Sequence, residues 1–141
     1  MLDQSLKNKR IIISAGASGI GLATAKVCLA RGAYVYLCDI NEKLLNKLNK
    51  HSLKNKKLFT YLCDASNEHQ VLDFFNKIKK KTKNIDALIN NVGVSGPTGS
   101  LEKLKSKDWE NTLHVDVNSH FYFTKQSIPL IKKSKNGSIV N

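Results

Sequence analysis

Three glycines close together near the start of the chain, Gly16, Gly19 and Gly21, are its clearest chemical signal. They sit in Ser14-Ala15-Gly16-Ala17-Ser18-Gly19-Ile20-Gly21 with the spacing G-x-x-G-x-G. Glycines let a backbone approach a pyrophosphate closely, and the free N–H groups of a helix that starts among them point at the anion. The flanks supply both elements. Ile11-Ile12-Ile13 reads as a buried parallel strand, apolar on both faces. Leu22-Ala23-Thr24-Ala25-Lys26-Val27 carries Ala, Leu and Val at helical spacing, and Gly32 stops that helix just after Arg31. A flexible glycine turn in any α/β protein would share these residues, so a second feature is needed. Asp39 supplies it. It ends a second apolar strand, Ala33-Tyr34-Val35-Tyr36-Leu37-Cys38, 18 residues after Gly21. A carboxylate at that point can accept hydrogen bonds from an adenosine ribose. Its competing role is the N-cap of a helix over Asn41–Leu45.

Other reactive side chains are less organised. Cys28, Cys38 and Cys63 fall in apolar helix or strand contexts, which predicts buried, reduced thiols and a cytoplasmic address. His51, His69, His114 and His120 share no metal-ligand spacing with one another or with the cysteines, and no metal site is expected. His114 and His120, six apart on one predicted helix, face different ways. The net charge of +12 raises the question of nucleic acid. Its lysines cluster in Lys43–Lys57, Lys77–Lys83, Lys103–Lys107 and Lys132–Lys135, mostly at helix ends, where they offset the macrodipole. No aromatic–basic interleaving accompanies them. The sequence therefore predicts a solvated Lys-rich surface with no nucleic-acid partner, one that still steers anionic ligands favourably.

The elements that position these residues alternate strictly. After Asp39, Asn41–Asn49 is a helix with Leu44, Leu45 and Leu48 inward, and a basic loop over His51–Lys57 leads to the strand Leu58–Cys63. Asp64, Ala65 and Ser66 follow, Ser66 placed to cap a helix with Val71, Leu72, Phe74, Phe75 and Ile78 on one side. Ile85–Ile89 is a short strand running into Asn90-Asn91-Val92-Gly93, and Val94–Ser100 is too rich in breakers for regular structure. Ser106 is placed to cap a long helix from about Asp108 to Ile131, with Pro129 kinking or ending its last turn. Ser138-Ile139-Val140 opens a fifth strand. The chain reads as one domain, residues 1–141, of Rossmann type: a doubly wound parallel sheet in the order 3-2-1-4-5, truncated within strand 5. Asp39, Asp64 and Asn91 all fall at C-terminal strand ends, where ligands bind in such sheets. No apolar run approaches the ~20 residues of a membrane span.

At this point the chain resembles the short-chain dehydrogenase/reductase family, in its main NAD(P)-dependent branch. Ser14–Gly21 is similar to the family's TGxxxGIG turn, Asp64 to its adenine-ring aspartate, Asn90–Gly93 to its NNAG motif, and Gly137–Asn141 to the GSIVN before its catalytic serine. Trp109–Thr112 and Phe121–Pro129 fit its long helix. The resemblance implies an oxidoreductase moving hydride between a nicotinamide and an alcohol or ketone. It implies a cofactor site of Ser14, Gly16, Ser18, Gly19, Ile20, Gly21, Asp39, Ile40, Asp64, Ala65, Asn91, Val92 and Gly93. NAD is favoured over NADP, because Asp39 repels a 2′-phosphate and neither Ser18 nor Ile40 compensates. Packing of the long helix around Trp109–Pro129 against a second copy implies a homo-oligomer.

Two departures stand out. Ala15 replaces the first glycine of the turn, with Gly16 beside it to restore the freedom. Registering the long helix on Trp109, Phe121 and Pro129 puts Asp116 where the catalytic tetrad has Asn. Asn118, about 200° further round, cannot substitute for it. Asp116 is therefore either a group near the nicotinamide end or a surface carboxylate paired with a lysine. The family's serine and Tyr-x-x-x-Lys cannot be placed, since Tyr122 and Lys125 are three apart. The expectation is a cofactor-binding half of a longer enzyme; a non-catalytic dinucleotide-binding or interaction module and a basic nucleic-acid-binding protein are the alternatives.

Overall fold

The computed structural model describes residues 5–52 and 56–141. Five parallel strands form one sheet in the order β3-β2-β1-β4-β5, the order read from the sequence. They are β1 (Arg10–Ile13), β2 (Tyr34–Asp39), β3 (Leu58–Leu62), β4 (Ala87–Ile89) and β5 (Ser138–Val140). Helices α1 (Gly19–Ala30), α2 (Glu42–Ser52) and α3 (Glu68–Lys79) connect the first four strands. A longer helical run of α4 (Ser106–Leu113), a π turn (His114–Asn118) and α5 (Ser119–Ile131) precedes β5. Residues 1–4 and part of the expected basic loop, 53–55, lie outside the described residues.

The run Ile11-Ile12-Ile13 is apolar throughout because the central strand is covered on both sides. Ile12 lies between Tyr36 and Leu88, and Ile13 between Leu37 and Ile89. Successive side chains alternate between faces. Ile11, Ile13, Val35 and Leu37 pack with Ala25 and Cys28 of α1 and Leu45 of α2. Ile12, Tyr36, Cys38 and Leu88 pack with α3 and α5. There Phe74, Phe75 and Phe123 form a buried trio with ring centroids 5.3, 5.5 and 5.6 Å apart. All three cysteines are buried and free.

Several boundaries differ from expectation for local reasons. Asn67, not Ser66, caps α3, accepting from the Gln70 N–H at 3.1 Å. Ser66 instead turns its hydroxyl to Asp64 Oδ1 at 2.7 Å. Asn41, not Asp39, caps α2, accepting from the Leu44 N–H, and that helix runs past Asn49 to Ser52. The long helix starts at Ser106 itself, with Lys105 in the cap position and no side-chain cap. It is broken by the π turn, which the apolar spacing did not reveal. Pro129 sits inside α5 without ending it, and Lys132 N–H still bonds to Ile128 at 2.9 Å. No helix among the described residues is long and apolar enough to cross a membrane.

One buried carboxylate ties the N-terminal ends of three strands. Asp86 accepts from Arg10 N–H at 2.9 Å, Ser134 hydroxyl at 2.7 Å and Lys9 Nζ at 3.2 Å. Its own backbone accepts from Ser138 N–H of β5. Burial alone would raise its pKa, but the bonds from Ser134, Arg10 and Lys9 prevail and hold it below the ordinary carboxylate value. A lowered folded-state pKa adds stability above the unfolded value and loses it as pH falls through the folded one. Asp86→Asn is expected to cost about 1–3 kcal/mol at neutral pH. Urea melts should show the gap to the wild type closing below about pH 4.

Candidate functional site

The turn after β1 is held by its neighbours rather than by its own glycines alone. Asn91, just past β4, donates through Nδ2 to the Ser14 and Ala15 carbonyls at 3.2 and 2.9 Å. Its N–H bonds to Ser14 Oγ at 3.0 Å. Asn90 reaches Thr124 Oγ1 and Asn141 Oδ1 from its Nδ2, while its buried Oδ1 has no partner. Ser14 and Asn91 thus clasp the two central strand ends. A side chain on Gly21 would meet Asn91 Nδ2 at 2.5 Å and the Ala15 carbonyl at 2.6 Å, so only glycine lets α1 come this close.

Backbone freedom falls elsewhere than expected. Ala15 itself takes the left-handed conformation, φ +49°, and Gly16 does not. Gly16 is needed for room: a Cβ there would lie 2.7 Å from Leu37 Cβ. Gly19 has φ +51° and open space over its Cα. Leu22 donates the first intrahelical bond, to Ser18, so the N–H groups of Gly19, Ile20 and Gly21 have no intrahelical acceptor. Ser18, at the N-cap, makes no side-chain cap bond, and no acidic residue stands in the first turn. This end of α1 suits an anion.

Asp39 lies against this turn. Its Oδ2 accepts from Ala17 N–H at 3.0 Å and its Oδ1 from Asn41 N–H at 2.9 Å. Gly16 N–H bonds to the Cys38 carbonyl at 2.8 Å, binding the turn to the end of β2 a second time. A carboxylate oxygen has two lone pairs, so both retain capacity for a ligand hydroxyl. Asp39, Ile40, Asp64, Ala65, Val92 and Gly93 share the wall of one cavity of about 370 Å³ with Ala15 and Val115. Asp64 spends only Oδ1, on the Ser66 N–H and hydroxyl. A bond to Cys63, with burial, holds the neighbouring Cys38 thiol well above its ordinary pKa, so it stays protonated beneath the site.

Asp116, in the middle of the π turn, pairs with no lysine among the described residues. Its Oδ1 accepts from the Val94 N–H at 2.8 Å. Asn118 turns away to the His114 ring at 3.0 Å. One contact to a residue of this wall was missed from sequence: His120 Nε2 lies 2.9 Å from the carbonyl of Val92, which lines the cavity. Asp116 and His120 are four apart on one helix face and hold the loop after β4 on either side of Gly93, a spacing that could have revealed the pair. No group of three or more His, Cys, Asp and Glu among the described residues is placed to hold a metal ion.

An anion-ready helix start, a carboxylate at the next strand end and a cavity across the central strand ends are the arrangement seen in dinucleotide-binding α/β domains. The family model for short chain dehydrogenases matches residues 9–141, and the chain belongs to that oxidoreductase family, whose members bind a nicotinamide dinucleotide. It is 33% identical over 138 residues to a 3-oxoacyl-(acyl-carrier-protein) reductase of Thermotoga maritima, covering 96% of this chain and 55% of that one. It is 36% identical over 135 residues to short-chain dehydrogenase/reductase family 16C member 6 of Bos taurus, covering 92% and 42%. Among solved structures, an NAD⁺-bound xylitol dehydrogenase superposes with a TM-score of 0.88 at 26% identity, over 96% of this chain and 53% of that one. The chain spans about half the length of the curated relatives it matches.

The turn's geometry gives opposite expectations for two small substitutions. Gly21→Ala should destabilise by about 1–3 kcal/mol through overpacking. Ala15→Gly should stabilise by up to about 1 kcal/mol by relieving the left-handed alanine. Paired thermal melts measure both.

Proposed function

We propose that this chain is the cofactor-holding half of an NAD-dependent oxidoreductase that moves hydride between a nicotinamide and an alcohol or ketone. The observation that carries the reading is the Asp39 carboxylate, bonded to the glycine turn at Ala17 and lining one cavity with Asp64 and Gly93. In this reading the N–H groups of Gly19, Ile20 and Gly21 receive the pyrophosphate, beside Ser14, Gly16 and Ser18. Asp39 accepts from the adenosine ribose, Ile40, Asp64 and Ala65 flank the adenine, and Asn91, Val92 and Gly93 wall the path toward the nicotinamide. The bound dinucleotide supplies the hydride acceptor or donor. Asp116 is a positioning residue that fixes the Val94 peptide and adds a negative charge near that end. The buried reduced thiols support a cytoplasmic setting.

The preference for NAD over NADP follows from charge. A 2′-phosphate would meet the Asp39 carboxylate, and Ser18 and Ile40 offer no cation in return. At a near-surface separation of about 4 Å that repulsion exceeds the tenfold threshold in affinity. Calorimetry should find NAD at least about tenfold tighter than NADP, and Asp39→Asn, which keeps the shape and drops the charge, should narrow the gap to about threefold or less. Equal affinities in the wild type contradict the assignment.

We also propose that a second copy covers the outer face of the long helix. Trp109, Leu113, Val117 and Phe121 recur every four residues along α4, the π turn and α5, and Trp109 and Phe121 are 55% and 59% exposed. Aligned large apolar side chains on a surface mark an interaction site. Light scattering is expected to give a dimer or larger for the wild type and a monomer for Phe121→Asp; a monomeric wild type removes the proposal.

A further inference from the structure

A second cavity, of about 360 Å³, lies at the N-terminal ends of β1, β2 and β3, the far end of the sheet from the dinucleotide site, lined by Arg10, Tyr34, Tyr36, Phe59 and Lys81. Its size falls within the range of small-molecule sites. Strand register builds it in two rows. Arg10 pairs with Tyr34 in the first. Ile12, Tyr36 and Phe59 stand abreast in the second. All point to the face that α3 covers only in part.

The rings and cations are arranged as a stacking platform with a charged rim. Tyr36 and Phe59 are stacked, with centroids 4.8 Å apart and planes 12° from parallel. Among the described residues β3 is the last strand on that side of the sheet, so no further strand follows Phe59. Lys81 Nζ lies 5.0 Å from the Phe59 centroid, and Lys57 Nζ lies 5.0 Å from that of Tyr34. Arg10 uses one guanidinium donor, on Asn84 Oδ1 at 3.4 Å, and among the described residues the other four have no hydrogen-bond partner. Among the described residues no carboxylate lines the cavity, and Asp86 is committed to Lys9, Ser134 and the Arg10 backbone. Arg10 of β1 and Lys81 after α3 therefore line the cavity together with the three aromatic rings. Basic and aromatic residues do not interleave along the chain; here residues far apart in it come together across the strands.

We propose that this cavity binds a nucleotide unit, its base extending the Tyr36–Phe59 stack and its phosphate held by Arg10 and Lys81. An exposed cation over a ring is weakly held, so a base can displace the Lys81 ammonium toward the phosphate. Aromatic faces beside a positive rim are how proteins take up single-stranded nucleic acid without reading its sequence, and the chain's net charge of +12 favours such a ligand. A free nucleotide presents the same chemistry. The site is independent of the dinucleotide reading.

The test is fluorescence anisotropy with a labelled thymidine dodecanucleotide, in the presence of saturating NAD and at low salt. The wild type should bind, and binding should weaken with a salt slope of about two. Lys81→Glu, an exposed side chain without hydrogen bonds, and Phe59→Leu should each weaken binding about tenfold or more. Lys133→Glu, the same charge change after α5, should change it by less than about twofold. Melting curves confirm that each variant folds, and Lys81→Glu decides alone if Phe59→Leu does not. Displacement by thymidine monophosphate assigns the site to free nucleotides, and displacement by the oligomer alone assigns it to strands; both support the proposal. No binding, equal effects of Lys81→Glu and Lys133→Glu, or equal displacement by polyglutamate overturns it.

Discussion

The carboxylate of Asp39 fastens the glycine turn to the end of β2, and the site takes its shape from that attachment. Through Ala17 it holds the start of α1 against the sheet, and through Asn41 it sets where α2 begins. The Asn91 amide does the same from the other side, bonding β4 to the carbonyls of Ser14 and Ala15. Between these anchors the turn has no slack. Ala15 is held at a positive φ that an L side chain rarely adopts, and Gly21 packs too tightly for a Cβ. A rigid, partly strained turn keeps the N–H groups at the start of α1 aimed at one place before any anion arrives.

The opposite end of the sheet repeats the device with another carboxylate. Asp86 collects the Arg10 N–H, the Ser134 hydroxyl and Lys9, joining β1, β4 and the approach to β5. Between the two ends, Ile12, Ile13 and Leu88 are fully buried under helices on both faces. The middle of the sheet is thus committed to packing, and open chemistry is left at its two ends. One end presents N–H groups and carboxylates, and the other presents rings and cations.

Much of this was legible in the chain. Strand order and the placing of Asp39, Asp64 and Asn91 at one sheet edge follow from apolar runs alternating with helical spacing, because parallel strands place all their C-terminal ends together. Family membership was readable because the glycine turn, Asn90–Gly93 and the helix from Trp109 to Pro129 occur in order. What escaped the reading was contact between distant residues. Nothing local marks the π turn, since an i→i+5 segment and an α-helix share the same apolar spacing over five residues. The bond from His120 to Val92, the Asp116–Val94 pair and the left-handed Ala15 all depend on how the loop after β4 folds over β1. Arg10, Tyr34, Phe59 and Lys81 are separated by up to 71 positions, so only strand register brings them together.

The central claim is that the start of α1 and Asp39 together receive a dinucleotide. The most direct measurement is an NAD titration followed by the backbone amide spectrum of the isotopically labelled chain. The account predicts progressive shifts at Ala17, Gly19, Ile20, Gly21 and Asn41, with Asp86 and Ser138 unmoved. Shifts confined to the N-terminal strand ends, or none at any concentration, would contradict it.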